Sequence, residues 1–119
     1  MAMMEELKSL GVDVDEGLER VMGDADLYEM MLGMFLDSLR DNPVALEDFD
    51  GNDLDKLIKG IHTLKGITGN LGITPLFEGY TESLGFLRSN RPKEAKAVFA
   101  RILPMQTDIV ACINRNKNA

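Results

Sequence analysis

Apolar residues along this chain recur every three to four positions and no stretch alternates at a period of two, so the pattern predicts helices throughout. "VDVDEGLERVMGD" reads as a short helix that Asp13 or Asp15 caps and Gly23 ends. A long helix follows over 25–40, with Asp24 or Asp26 as its cap and Glu29 three positions after Asp26 in capping-box spacing. Leu27, Met30, Met31, Met34 and Phe35 repeat there at helical intervals and are assigned to the core, while Leu32, Leu36 and Leu39 widen the apolar arc. That extra width implies packing against the small N-terminal helix; the alternative is a docking surface in which methionines adapt to a partner. "DNP" at 41–43 and "DGND" at 50–53 turn the chain.

The third long helix starts near Asp53 and buries Leu54, Leu57, Ile58, Ile61, Leu64, Thr68 and Leu71. Gly72 suits its C-terminal position, Thr74 is expected to cap the next helix and Pro75 to take its first turn. That helix carries Leu76, Phe77, Tyr80, Leu84 and Leu87. After "SNRP" at 89–92 the last helix keeps its beat from Ala95 through Val98, Phe99, Ile102, Met105 and Ile109 to Cys112. The beat passes Pro104, which predicts one helix kinked there and not two. The expectation is an all-α fold: an antiparallel up-down four-helix bundle with a short extra N-terminal helix, in a single domain over 1–119.

Composition narrows the function by exclusion. One cysteine and one histidine, His62, allow no internal disulfide and are too few for a conventional zinc site, so no metal or other cofactor is expected. Lys59 occupies the position three before His62, where a di-metal bundle needs glutamate. No glycine-rich loop follows a strand to cradle a nucleotide. A pI of 4.6, with seven aromatics none of which interleaves with the lysines, argues against nucleic acid. No run of about 18 apolar residues exists, and "MAMMEELKSLG" lacks a basic segment leading into an apolar one. A cytoplasmic, monomeric protein without membrane insertion is expected. The net charge of −7 is unevenly placed: residues 1–55 hold 16 acids against three Lys/Arg, residues 56–119 ten Lys/Arg against four acids.

The one histidine lies in "KGIHTLKGITGNLG", residues 59–72, where there are lysines but no acid. On a helical wheel His62 falls about 115° from the centre of the buried stripe, on the side that also holds Gly66 and Gly69. Each glycine is unfavourable in a helix interior by about 1 kcal/mol relative to alanine. The compensation expected is access, a shallow depression beside an exposed imidazole where another protein approaches. Lys65, one turn on, can lean toward an anion attached to the ring. The plainer reading is a surface histidine without function, glycines that permit close packing, and solvated lysines.

"HTLKGITGNLG" resembles the His-x-x-Lys-Gly signature of histidine-containing phosphotransfer (HPt) domains, and "GVDVDEGLERVMGDADLYEMMLGMF" resembles the opening of bacterial members, so the resemblance covers roughly residues 11–90. It implies His62 as the phosphoacceptor and Lys65 as the phosphate-orienting cation. Lys59, Gly66 and Gly69 are expected on the partner-docking face. The implied partners are response-regulator receiver domains and a hybrid sensor histidine kinase, and the implied function is a phosphorelay intermediate in two-component signalling, a phosphocarrier and not an enzyme. The alternative is an HPt-like interaction module that binds receivers without carrying phosphate. Many family members place a polar residue, often glutamine, where Leu84 stands here; Glu82, Ser83 or a water is expected to take over that contact with the phosphate.

Overall fold

The structure, a computed structural model, describes residues 3–117; the outermost residues of the expected 1–119 domain lie outside the described residues. Among those described, the chain forms α1 Met3–Ser9, α2 Val14–Arg20, α3 Ala25–Asp41, a 3-10 segment Leu46–Asp50, α4 Leu54–Leu71, α5 Thr74–Arg88 and α6 Pro92–Lys117, and no strand. Aspartates start three of these helices. The side chains of Asp13, Asp24 and Asp53 each accept from the backbone N–H three residues on, at 3.1, 3.1 and 3.0 Å. These bonds satisfy donors that a helix N-terminus leaves open. Asp15 therefore lies inside α2, and Asp26 with Glu29 lies inside α3, where they form no capping box. Thr74 likewise falls within the first turn of α5: Ile73 holds the cap position, and the Thr74 hydroxyl donates to the Gly72 carbonyl at 3.2 Å.

α4 ends in a Schellman motif. Gly72 takes a left-handed φ of 72°, the Ile73 N–H reaches the Thr68 carbonyl at 3.0 Å, and the Gly72 N–H reaches Gly69. α6 runs unbroken past Pro104, so the single helix expected from its apolar beat is present. Two elements carry no strong sequence signal. α1 and the 3-10 segment are too short to form alone, and each is held by α6. Leu7 is fully buried and Glu6 pairs with Arg115; Phe49 sits 5.3 Å from the Phe99 ring, with Asp50 bonded to Lys96 at 2.5 Å. Part of the charge imbalance between the two halves of the chain is thus neutralised internally.

α3 corrects the sequence reading. Tyr28, Leu32 and Phe35 are buried, Leu36 and Leu39 partly so, whereas Met30 and Met34 are 59% and 57% exposed. The buried stripe is rotated by about 100° from the expected one. A wide apolar arc leaves the phase of a helix open. Here Tyr28 settles it, because its hydroxyl donates to the Leu71 carbonyl at 2.7 Å and its ring is fully enclosed. α3 lies against α4 and α6, α4 packs along α5, and α5 along α6.

α2 is seated on the C-terminal end of α4 with almost nothing between the backbones. The Asp13 N–H donates to the Gly72 carbonyl at 2.7 Å. A Cβ on Gly72 would stand 2.2 Å from the Asp13 carbonyl oxygen, and one on Gly17 would stand 2.5 Å from the Leu71 carbonyl oxygen and 2.4 Å from the Tyr28 ring. Only glycine fits at either position. This contact brings a second helix to the edge of the segment that carries His62.

Candidate functional site

α4 presents two faces. Leu57, Ile61, Leu64, Thr68 and Leu71, spaced at three and four, face inward, and the buried Thr68 hydroxyl is satisfied by the Leu64 carbonyl at 2.8 Å. One residue after Ile61, the chain turns His62 out to solvent. The imidazole lines a depression of about 450 Å³ together with Lys65, Gly66 and Gly69 of the same helix. Three of the residues that the sequence reading grouped with His62 are therefore gathered beside it. Lys59 is not: it lines a separate groove with Val44, Gly60 and Thr63, on the side of the loop that precedes α4.

The two glycines differ. A Cβ built on Gly66 meets nothing within 4 Å, so its bare backbone opens directly onto solvent. A Cβ on Gly69 would lie 3.0 Å from two carbons of the Phe77 ring. Gly69 lets Phe77 of α5 lie close across α4, where the ring forms an apolar wall of the depression. Its small size serves internal packing first and access second.

The polar surroundings also differ from the expectation. Leu84 is 1% exposed, in the core. Ser83 is buried and donates to the Ala95 carbonyl at 3.0 Å, tying α5 to α6, and Glu82 pairs with Arg101 at 3.0 Å. None of the three lines the depression. Glu78 of α5 and the pair Glu16–Arg20 of α2 do, the latter joined at 3.2 Å one helical turn apart. Between Lys56 and Phe77 the sequence holds no acid, yet the folded depression has two carboxylates and two cations around it. Sequence reasoning missed Glu16 and Arg20 because nothing in their own helix points to α4. The one available signal was Gly17 between them, the residue that lets α2 touch the end of α4.

Among the described residues no three His, Cys, Asp or Glu side chains gather closely enough to hold a metal ion. Among them, too, no helix is long and apolar enough to cross a membrane. The arrangement therefore offers one exposed ring nitrogen donor, an ammonium on the same helix that takes part in none of the ion pairs among the described residues, and an open backbone beside both. Chemically it suits a nucleophile that meets its reaction partner on another molecule.

No family model matches the chain, and no solved structure matches it. Over 90 residues it is 34% identical to the sensor protein GacS of Pseudomonas syringae pv. syringae, a stretch that takes in 75% of this chain and 10% of that protein. The chain thus spans about a tenth of the length of the curated relative it matches, and what it is similar to is one segment of a sensor protein.

Proposed function

We propose that this chain is a histidine-containing phosphotransfer domain, a phosphorelay intermediate of two-component signalling that accepts a phosphoryl group on His62 from one receiver domain and passes it to another. On this reading the four long helices α3 to α6 are an antiparallel up-down bundle, with α1 and α2 laid against it. The observation that carries the proposal is the exposed His62 sharing one depression with Lys65 and the open Gly66. The match to a segment of a sensor protein, and the His-x-x-Lys-Gly run at 62–66, support it.

The reaction is a displacement at phosphorus. A ring nitrogen lone pair of His62 attacks the phosphoryl group of a receiver's aspartyl phosphate. The N–P bond forms as the P–O bond to the aspartyl carboxyl breaks, and the electron pair of that bond leaves as the receiver's carboxylate. The proton on the other ring nitrogen stays in place. Lys65 then faces the added negative charge and steadies it through a charge-assisted contact. The reverse displacement delivers the group to the next receiver. Release is part of turnover, so the interface is small and transient. The carrier is not an enzyme in its own right, its partners are receiver domains and a hybrid sensor kinase, and its compartment is the cytoplasm.

One observation favours the second reading, an interaction module that carries no phosphate: the carboxylates of Glu16 and Glu78 on the wall of the depression oppose an incoming dianion. Transfer from a receiver labelled on its aspartate separates the two readings. Acid-labile label on the wild type and none on His62→Gln is the result expected. Intact binding with no label on the wild type refutes the relay.

A further inference from the structure

We infer that Arg20 of α2 is a second phosphate-holding cation, placed to bind the phosphoryl group that His62 carries; the inference rests on the reading of His62 as the phosphoacceptor. Arg20 lines the same depression as His62 and Lys65, although it stands 42 positions before the histidine in sequence. Its placement is built by backbone contact. α2 is pinned to the end of α4 through Gly17 and Gly72, where no Cβ fits, and through the bond from the Asp13 N–H to the Gly72 carbonyl. A helix seated this closely delivers its side chains to a defined place.

The charge count gives Arg20 its task. Glu16, Glu78, Lys65 and Arg20 balance around the depression before transfer. A phosphoryl group adds about two negative charges, which Lys65 alone does not match. The Arg20 guanidinium touches Glu16 through a single nitrogen, Nη2, at 3.2 Å. Its planar fork has five N–H donors and suits phosphate oxygens in pairs. Glu16 therefore holds the guanidinium in place while other donors remain for the phosphate. The pair is half exposed on both sides, so small adjustments of the long side chain meet little resistance.

The test reads the electrostatics at phosphorus directly. Wild type, Arg20→Ala, Arg20→Lys and Lys65→Ala are phosphorylated chemically with phosphoramidate, and the phosphoryl group is titrated by phosphorus NMR. Because a nearby cation favours the dianion, Arg20→Ala is expected to raise the titration midpoint by about 0.5 unit, the upper range for an exposed pair. Arg20→Lys is expected to keep the greater part of the wild-type effect, and the difference shrinks in about 1 M salt. An unshifted midpoint in Arg20→Ala overturns the assignment of Arg20 and leaves the reading of His62 standing. A wild type that shows no phosphohistidine resonance overturns both.

Discussion

Gly66 offers a direct measure of what the depression is for. A methyl group added there enters open space, since nothing lies within 4 Å of its position. Gly66 is exposed in the interior of an 18-residue helix, where replacing glycine by alanine is worth about 1 kcal/mol. No steric term subtracts from that value. Gly66→Ala should therefore raise the melting temperature by about 4 °C for a domain of this size, as followed by circular dichroism. Gly69→Ala is the matched control: its methyl group lands 3.0 Å from the Phe77 ring, so the ring must shift and most of the gain disappears. Gly66→Leu completes the series. It keeps wild-type stability or better, but puts a branched side chain where the partner approaches, and should slow phosphotransfer by at least about tenfold, a loss of 1.4 kcal/mol. A Gly66→Ala protein no more stable than wild type would show that position 66 is not open. Transfer at the wild-type rate in Gly66→Leu would show that the opening is not where the partner docks.

Two further outcomes follow from the seating of α2 and from the buried tyrosine. Gly17→Ala forces a methyl group against the Leu71 carbonyl and the Tyr28 ring, so it should destabilise by about 1–3 kcal/mol, seen as a lower urea midpoint at unchanged slope; an unchanged midpoint would mean that α2 moves away freely. Burial, with the Asp13 carboxylate adding to it, raises the Tyr28 hydroxyl from 10.0 to about 12. The unfolded chain ionises first, so the stability held in the neutral hydroxyl is complete below about pH 10 and is lost as pH rises through about 12. Urea midpoints measured across that range should fall less steeply in Tyr28→Phe than in wild type; equal slopes would refute the linkage.

The apolar beat made α4, α5 and α6 legible because each is long and has a narrow buried stripe, and Asp13 and Asp53 start α2 and α4 through a short-range bond that needs no tertiary partner. α3 was legible as a helix but not in its orientation. Eight apolar residues spread around it fit several phases, and only the enclosure of Tyr28 against Leu71 selects one. At the site, the exposure of His62 followed from its angle to the Ile61 stripe, and the separation of Lys59 from it did not, because the groove beside Lys59 is formed by the loop before α4. Leu84 is in the core, as its place on the apolar stripe predicted, but Ser83 and Glu82 were read as neighbours of the phosphate when their partners are on α6.

What the sequence alone determined about this protein is what local physics decides: helix spacing, caps, the outward angle of one imidazole and the lysine one turn from it. What only the tertiary structure decided is who stands opposite. Charge and shape at a surface depression depend on side chains that arrive from distant helices, and no run of residues around His62 carries information about Glu16, Arg20 or Glu78. The arrival of Glu16 and Arg20 depends on two glycines whose missing Cβ atoms let one backbone rest on another, a contact that leaves no apolar pattern to read.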